Sequence, residues 1–369
     1  MKKDWTYKKL GEVTKIKTGK LDANASSEDG IYPFFTCSKE PLRISSYSYD
    51  CECVLVAGNG DLNVKYYKGK FDAYQRTYII ATTPDSGVMT YYMYHFFNKY
   101  IETLRQKSIG GIIKYIKLGD LTEATIPVPP ISIQESIVRE LDAIHGILEK
   151  KQEQLRELDN LAQAIFYEMF GDPITNPKQW EVKKLGEVCD VRDGTHDSPK
   201  YLPSSEYILI TSKNIVNGEI DFSVSNYINR EDFEAINRRS RVDVGDIIMP
   251  MIGTIGNPII IKPTEKKFCI KNVALIKFAN AEEVINVYIR ELLDSPSYIG
   301  FLKSINQGGT QKFIALGTIR KLSIPLPPLS LQQSFAAKIE AIEAQKQAVQ
   351  QSIREVETLL AERMDNYFN

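Results

Sequence analysis

Two segments of this chain are altered copies of one another, and each opens with a pair of prolines. Residues 126–137 read IPVPPISIQESI and residues 324–335 read IPLPPLSLQQSF, in register at a shift of 198. After each segment, apolar residues recur at alternating steps of four and three. Such a period, held for about four heptads, is typical of a helix that packs along its whole length against another helix. The most direct partner for each predicted helix is the other copy.

The predicted contact line, which we call the helix seam, follows this heptad pattern in both copies. It comprises Ile137, Leu141, Ile144, Leu148, Leu155, Leu158 and Ile165 in the first copy, and Phe335, Ile339, Ile342, Val349, Ile353, Val356 and Leu360 in the second. A helix that faces the core of an ordinary domain has a similar stripe. This stripe is long and occurs twice, which favours an antiparallel pair formed within one chain.

Both predicted helices have sharp boundaries. The pairs Pro129-Pro130 and Pro327-Pro328 cannot continue a helix, so the helices are expected to begin after them. Ser132 and Ser330 follow, each with an acidic or amide residue three positions later, which is the spacing of a capping box. We therefore predict the two serines as N-caps. Gly171 is predicted to end the first helix, and the second is predicted to run to the last residue.

Composition indicates a folded protein without a membrane anchor. Hydrophobic residues make up 43% of the 369 positions, and no long apolar run suggests a membrane span. The N-terminal segment MKKDWTYKK lacks the apolar stretch of a signal peptide, so a cytoplasmic protein is expected. Five cysteines without C-x-x-C spacing indicate neither a disulfide framework nor a zinc site. No metal site is predicted.

The net charge of −1 hides an uneven distribution. The two predicted long helices are acidic, whereas the segments between them are neutral to basic. A chain that binds DNA alone is usually more basic overall. Nucleic-acid binding by this chain is therefore expected to use local surfaces, with or without a charged partner.

The segments that precede the long helices are also related. The sequence KLGEV at residues 9–13 recurs at 184–188, and the glycine pair at 110–111 recurs at 308–309. We therefore divide the chain into a globular domain at 1–130, a helix at 131–171, a second globular domain at 172–328 and a final helix at 329–369.

Both globular domains are predicted to be α+β, because short β runs separated by turns are followed by a helix. The predicted elements are strands at Cys53–Ala57, Tyr66–Lys68 and Thr77–Ala81 with a helix at Met89–Lys107, then strands at Tyr207–Thr211, Asp246–Met251, Pro258–Ile261 and Val273–Phe278 with a helix at Ala281–Ser304. The predicted fold is α+β: two α+β domains separated by two long helices that form an antiparallel coiled coil, with pseudo-twofold symmetry.

Taken together, these motifs resemble the specificity subunit, or S subunit, of type I restriction-modification systems. The resemblance rests on the two proline-led repeats, on the junction MFGDPITNPKQWEVKKLGEV at 169–188, and on DGTHDSPKYLPSSEYILITSKNIVNGEIDF at 193–222. It covers almost the whole chain. It implies that the globular domains are target-recognition domains, each reading one half of a split and asymmetric site in double-stranded DNA, and that the helical pair is a spacer.

The resemblance also implies partners that perform the chemistry. These are methyltransferase subunits, two being expected, and restriction or translocase subunits. S-adenosylmethionine, ATP and Mg are expected only in those subunits, and no cofactor is expected here. In the sequence itself, the double prolines lack the N-P-P-Y setting of amino-methyltransferases, no nucleotide-binding loop is present, and the three histidines are scattered. No catalytic residue is predicted, so the chain is not expected to be an enzyme.

Candidate DNA contacts are polar and basic residues on predicted loops, where amides, ammonium groups and guanidinium groups can meet base edges and phosphates. They are Lys20, Arg43, Asn59, Lys65, Arg76 and Lys114 in the first domain, and Thr195, His196, Lys213, Asn214, Lys271, Asn272, Gln311 and Lys312 in the second. Each of them also has an ordinary interpretation as a solvated surface residue, and His196 equally as a structural residue of a turn.

Apolar residues off the seam form a candidate partner-binding stripe. They are Ile147, Leu161 and Phe166 on the first helix, and Ala348 and Leu359 on the second. A two-helix rod buries little surface alone, so methyltransferase helices could complete a larger bundle. Alternatively, these residues simply widen the seam.

Two functions from different classes remain at this stage. The first is a non-catalytic DNA-recognition subunit for a bipartite, asymmetric target. The second is a coiled-coil scaffold whose globular domains bind protein, which the mild charge of the second domain favours. A stand-alone enzyme lacks supporting motifs.

Overall fold

The computed structural model describes residues 5–216, 218–252, 256–305 and 313–369. Its described residues form two compact units. The first unit contains the residues up to Glu153 together with Gln350–Asn369, and the second contains Gln154–Val349. Each unit therefore combines one α+β domain with a segment from each of the two long helices.

The elements of the first α+β domain are β1 (Thr6–Lys9), α1 (Leu10–Val13), β2 (Thr14–Thr18), β3 (Tyr32–Phe35), β4 (Leu42–Ile44), β5 (Tyr49–Ala57), β6 (Val64–Ala73), β7 (Thr77–Thr82), α2 (Thr90–Lys107), α3 (Leu118–Thr122) and β8 (Thr125–Val128). The first long helix is α4 (Ile131–Phe170). Six strands form one sheet in the order β2-β7-β5-β6-β3-β4, and β1 pairs with β8.

The elements of the second α+β domain are β9 (Glu181–Lys184), α5 (Leu185–Val188), β10 (Asp190–Asp193), β11 (Tyr207–Ile210), β12 (Ile215–Val216), β13 (Glu219–Ile220), β14 (Asn226–Ile228), α6 (Arg230–Ser240), β15 (Ile247–Pro250), β16 (Ile259–Ile260), β17 (Lys267–Ile270), β18 (Val273–Lys277), α7 (Asn286–Asp294), α8 (Pro296–Ser304), α9 (Leu316–Arg320) and β19 (Ser323–Leu326). The second long helix is α10 (Leu329–Phe368).

The sheets of the two domains share a central plan. In the second domain, the order β10-β18-β15-β16 corresponds to β2-β7-β5-β6 in the first, and β9 pairs with β19 as β1 pairs with β8. A separate three-stranded sheet, β14-β11-β17, contains the parallel pair β11 and β17. The α+β class and the long helices predicted from the sequence are confirmed.

Three predicted elements have wrong boundaries. The strand predicted at Cys53–Ala57 begins four residues earlier, as β5. The strand predicted at Tyr66–Lys68 extends over ten residues as β6, because its later part pairs with β3 and β5 rather than following local alternation. The helix predicted at Ala281–Ser304 is two helices. Pro296 lacks the N–H that a continuous helix needs, and it begins α8 instead.

The predicted N-caps are also wrong. Helices α4 and α10 begin at Ile131 and Leu329, directly after the proline pairs, so Ser132 and Ser330 lie inside the first turn. In α4 the Pro130 carbonyl accepts hydrogen bonds from the N–H groups of Ile133 (2.9 Å) and Gln134 (3.1 Å). The other boundary is confirmed, since α4 ends before Gly171, whose φ of 79° is the left-handed conformation that stops a helix.

A buried glutamine side chain, which we call the amide pin, fastens the start of each long helix to its own domain. Gln134 accepts a hydrogen bond from the N–H of Met89 (2.9 Å) and donates to the carbonyls of Gly87 (2.7 Å) and Pro129 (2.8 Å). The side chain is fully buried. Because a buried amide without partners is costly, these three bonds restrict the angle at which α4 leaves the domain.

The second unit repeats the amide pin with Gln332. Its amide accepts from the N–H of Ile285 (3.1 Å) and donates to the carbonyls of Glu283 and Pro327, each at 2.9 Å. Gln332 is also fully buried. In each unit, two of these bonds connect the long helix to the segment that leads into a domain helix, α2 in the first unit and α7 in the second, and the third is to a proline carbonyl at the start of the long helix itself.

In the first unit, the end of α10 enters the core of the α+β domain. The ring of Phe368 packs against Tyr92 and Phe96, with centroids 5.3 and 5.9 Å apart. The Tyr367 hydroxyl donates to the Glu140 carboxylate of α4 at 2.5 Å. Phe368 is buried whereas Tyr367 is only half-buried, so Phe368 is the residue at the end of α10 that enters the core.

In the second unit, the two long helices meet in an antiparallel arrangement. Phe335, near the start of α10, packs against Phe166 and Phe170 near the end of α4, with centroids 5.8 and 5.1 Å apart. Further along, Lys346 pairs with Asp159 at 2.8 Å. Residues later in α10 therefore contact residues earlier in α4, which is the arrangement of antiparallel helices.

The predicted seam positions differ in burial. Buried positions are Ile137, Leu141, Ile144, Leu158, Phe335, Ile339, Ile342 and Val349, and half-buried positions are Leu148, Leu155, Ile165, Ile353, Val356 and Leu360. Within the described residues, no helix is both long enough and apolar enough to cross a lipid bilayer.

We expect Gln332→Leu to destabilise the second unit by roughly 2–4 kcal/mol, because the Ile285 N–H and two carbonyls lose their partner in a buried site. Urea unfolding measures this loss, and hydrogen exchange should show faster exchange of the Ile285 amide. Gln333→Leu is the matched control, since Gln333 is exposed one position later. Equal stability of the two variants would contradict the role of the pin.

Candidate nucleic-acid interface

Several loops of the first domain meet at one edge of its sheet. The Gly58 N–H donates to the Arg76 carbonyl (2.8 Å), and the Gly60 N–H donates to the Lys114 carbonyl (2.9 Å). The loop after β2 joins them through the Gly19 N–H, which donates to a carbonyl at the start of β7 (3.1 Å). These backbone bonds hold the loops, so their side chains are free to face outward.

Four of the predicted DNA contacts lie at this edge, which we call the loop edge of the first domain. They are Lys20, Asn59, Arg76 and Lys114. Lys20, Arg76 and Lys114 are exposed, and Asn59 is half-buried. The structure thus brings three cationic groups and one amide, from four separate loops, onto one surface.

The other two predicted contacts of this domain are placed differently. Arg43 is exposed on the edge strand β4, and its guanidinium donates to the Gly30 carbonyl at 3.4 Å. Lys65 is half-buried on β6, where its ammonium donates to the Asn63 side chain. Burial lowers the pKa of the Lys65 ammonium. Lys65 is therefore a partly enclosed group rather than an extended surface cation.

The second domain builds the corresponding edge with the same backbone bond. The Gly194 N–H donates to the Val273 carbonyl at the start of β18 (3.0 Å), as Gly19 does at the start of β7. The Asn272 N–H donates to the Thr195 carbonyl (3.2 Å). This loop edge of the second domain carries the predicted contacts Thr195, His196, Lys271 and Asn272.

A polar network organises the loop edge of the second domain. The buried Asp193 carboxylate pairs with the Arg239 guanidinium and lies 2.9 Å from His196 Nε2. His196 Nδ1 lies 2.8 Å from the side-chain oxygen of Asn272. These two acceptors, Asn272 first and then Asp193, raise the pKa of His196 above its ordinary value of 6.5. The imidazole is thus biased towards its cationic form on an exposed surface.

Two members of this network were not predicted from the sequence. Asp193 ends β10, and Arg239 lies in the last turn of α6, 46 positions later. The basic run Asn-Arg-Arg-Ser-Arg at 237–241 is a visible signal. The pairing itself is not, because nothing local indicates that the end of α6 lies beside β10.

Three predicted contacts of the second domain have structural roles. Asn214 is buried, and its amide accepts from Thr211 and donates to the carbonyls of Asp221 (3.1 Å) and Val224 (3.2 Å). The Lys271 ammonium is also largely buried and donates to Ser198 Oγ at 2.5 Å. Asn272 has a φ of 57° and holds His196. Asn214 in particular cannot reach a base.

Lys213 is exposed in the short turn that Thr211 caps. Gln311 and Lys312 lie outside the described residues. Both therefore stay predictions.

The histidines are less scattered than the sequence indicates. The rings of His95 and His145 lie 5.9 Å apart in the first unit. Asp142 Oδ1 lies 3.1 Å from His95 Nε2 and accepts from the Tyr91 hydroxyl at 3.2 Å. Burial lowers the pKa of His95 and raises that of Tyr91 to about 12. Among the described residues, no group of side chains is suited to hold a metal ion.

The predicted partner-binding residues divide into exposed and buried ones. Ile147, Leu161 and Leu359 are 45%, 48% and 39% exposed. Phe166 is buried instead, because Phe170, Tyr288 and Phe335 surround its ring. Phe166 therefore belongs to the core of the second unit and is not available to a partner.

Comparison with known proteins places the chain in a family. The sequence profile of the type I restriction modification DNA specificity domain matches residues 2–158 and again residues 177–358. These two matches cover most of the chain and follow its internal repeat. The chain therefore belongs to the type I restriction modification DNA specificity domain family.

Individual relatives agree with this family. The specificity subunit of the type I restriction enzyme EcoDI from Escherichia coli is 39% identical over 158 residues, covering 43% of this chain and 35% of that subunit. The specificity subunit of type I restriction enzyme MjaVIII from Methanocaldococcus jannaschii is 21% identical over 383 residues, covering 92% of this chain and 86% of that subunit. This chain thus covers about a third of the EcoDI subunit and most of the MjaVIII subunit.

Solved structures show the same fold. The S subunit of a type I restriction-modification system from M. genitalium matches with a TM-score of 0.57 at 14% identity, covering 99% of this chain and 96% of that one. A chain from a study of complex assembly and conformational transition in a type I system matches with a TM-score of 0.58 at 16% identity, covering 99% and 97%. At these identities the likeness concerns the fold alone.

We expect Asp193→Asn to destabilise the second domain by about 1 kcal/mol, because Arg239 and His196 lose their charged partner but remain exposed enough to be hydrated. The raised pKa of His196 sets a pH dependence. Stabilisation by protonated His196 is fully present below pH 6.5 and is lost as pH rises through the raised value. Urea unfolding of the variant and the wild type should therefore differ more at pH 6 than at pH 8.

The control for this measurement is Asp197→Asn, an exposed aspartate in the same loop. The same loss in both variants would mean that general loop charge, and not the Asp193 network, stabilises the domain.

Proposed function

We propose that this chain is the sequence-specific DNA-recognition subunit of a type I restriction-modification complex. The observation that carries the proposal is the matching of the DNA specificity domain to both halves of the chain. The structure contributes a surface of suitable chemistry. Backbone hydrogen bonds fix loops at an equivalent sheet edge in each half; the first edge presents three exposed cations and an amide, and the second presents His196 beside Arg239. Such groups bind phosphates and read base edges.

The two halves are proposed to read different sequences. The loop edge of the first domain presents Lys20, Arg76 and Lys114, whereas that of the second presents His196 beside Arg239. Different hydrogen-bond donors at the two loop edges favour different bases. The target is therefore proposed to be bipartite and asymmetric, with one half-site for each domain.

Catalysis is proposed to reside in partner subunits. These would be methyltransferase subunits, two in number, and restriction or translocase subunits, which would also bind S-adenosylmethionine, ATP and Mg. One of the similar solved structures comes from a study of type I complex assembly, which supports an assembling role for this chain. Exposed apolar side chains on the long helices, Ile147, Leu161 and Leu359, are candidate contacts. A cytoplasmic location follows from this proposal.

A coiled-coil scaffold that binds only protein is the alternative function. It does not explain why the loop edge of the first domain presents three exposed cations, Lys20, Arg76 and Lys114. Protein-binding surfaces have cores depleted of charged residues, whereas DNA-binding surfaces are strongly positive. The family match also favours DNA.

Selection from a pool of random-sequence duplexes tests the function directly. We expect the full-length chain, with a copurifying methyltransferase subunit, to enrich two short sequences separated by a fixed number of unspecified base pairs. Because phosphate contacts release counterions, affinity should fall steeply with salt. Enrichment of no sequence at low salt, with the chain folded and the subunit bound, would favour the scaffold.

We expect Arg76→Gln to weaken binding to the selected duplex at low salt and to reduce the slope of log K against log salt by about 1, because one phosphate contact is lost. Fluorescence anisotropy across a salt series measures both quantities. Arg139→Gln is the control, since Arg139 is an exposed arginine on α4, away from the loop edge. An unchanged slope for Arg76→Gln would show that Arg76 makes no phosphate contact.

A further inference from the structure

A short hairpin projects from the first domain and carries two isoleucines at its tip. Its base is closed by a pair of backbone hydrogen bonds between Ile109 and Tyr115, of 3.0 and 2.8 Å. Gly110 has a φ of 123°, and a Cβ at that position would lie 2.5 Å from the Ile113 carbonyl oxygen. The turn therefore depends on glycine, and it directs residues 112 and 113 outward.

The two isoleucines at the tip are unusually exposed. Ile112 is exposed as fully as an isolated residue, at 105%, and Ile113 is 62% exposed. Burial of an apolar side chain stabilises a fold. The Ile112 side chain is not buried, so it contributes no such stabilisation to the free chain. An apolar pair held outward in this way is suited to a partner surface that buries it.

The hairpin is fastened to the loop edge of the first domain. The Gly60 N–H donates to the Lys114 carbonyl (2.9 Å), and the Ile116 N–H donates to the Gly58 carbonyl (3.0 Å). Gly58 in turn donates to the Arg76 carbonyl. The isoleucine tip is thus continuous with the surface that presents Arg76 and Lys114.

The charge around the tip favours a nucleic acid over an apolar protein groove. Residues 106–117 contain three cationic residues, Lys107, Lys114 and Lys117, and no acidic one; the preceding Arg105 is paired with Glu102 and Asp61. Lys114 and Lys117 are exposed. Proteins that insert apolar wedges between base steps also place Arg and Lys side chains in the groove. The apolar tip and its cationic flanks fit this pattern.

We propose that Ile112 and Ile113 form a wedge that enters the groove of the target duplex and partly unstacks one base step in the half-site read by the first domain. This inference rests on the proposed function and adds a specificity determinant to it. At the equivalent positions of the second half the sequence has Thr310 and Gln311, so the wedge belongs to one half-site. Because pyrimidine–purine steps unstack most easily, the wedge selects such a step.

The test compares sequence selection by the wild type and by the double variant Ile112→Ser/Ile113→Ser, each as the full chain with its methyltransferase subunit. The variant should relax selection at one pyrimidine–purine step of the first half-site and leave the second half-site unchanged. Affinity for the selected duplex should fall roughly tenfold. Ile31→Ser is the control, because Ile31 is an isoleucine of the same domain that is 72% exposed; it should change neither quantity.

A spectroscopic measurement isolates the unstacking. A 2-aminopurine placed at the selected step should brighten when the wild type binds, because its stacking is lost, and should stay dim with the double variant. Circular dichroism and the melting temperature establish that the variant is folded. The second half-site provides a control in the same duplex.

The outcomes separate this proposal from the proposed function. If the wild type selects no sequence, the proposed function fails and the wedge fails with it. If the wild type selects a bipartite site and the double variant selects the same site with equal affinity, only the wedge is overturned. Loss of the methyltransferase subunit by the variant, with unchanged DNA selection, would assign the tip to a protein contact and also overturn the wedge.

Discussion

The burial of aromatic side chains from the long helices inside the α+β domains is the interaction on which the structure depends. In the first unit Phe368 of α10 packs on Tyr92 of α2, and in the second Phe166 of α4 packs on Tyr288 of α7. Each long helix therefore contributes to the core of a domain as well as to a helical pair. In each unit, a residue of a long helix therefore packs against the first helix after the sheet of the α+β domain.

The amide pins add directional hydrogen bonds to this apolar packing. Apolar contacts are strong but tolerate sliding and rotation, whereas a buried amide must keep all its hydrogen bonds. Gln134 and Gln332 use the same three kinds of partner at the two helix starts. The pins therefore restrict how each helix leaves its domain. In a DNA-recognition subunit, this restriction helps to fix the orientation of each domain's loops relative to the start of its own long helix.

The loop edges show how one backbone frame carries two different sets of side chains. Backbone hydrogen bonds, such as those of Gly19 and Gly194 to the strands beside them, hold the loops. Side chains at the edge are left free of this task, and they differ between the halves. Some polar side chains hold the backbone instead and are buried. Asn214 is an example, since its side chain makes four hydrogen bonds within the domain. Recognition can change while the sheet stays the same.

The sequence by itself determined the duplicated plan, the two long helices, the α+β class and the stop at Gly171, because heptad periodicity, proline pairs and glycine act over a few residues. It placed the serine caps wrongly, since the choice between Ser132 and the preceding residue depends on how the helix start meets the domain. It also missed most of β6, the break at Pro296 and the pairing of Asp193 with Arg239. Strand pairing, burial and ion pairs between distant segments leave no local pattern, so only the tertiary structure decided which predicted contacts share a surface and which, like Asn214 and Phe166, are enclosed.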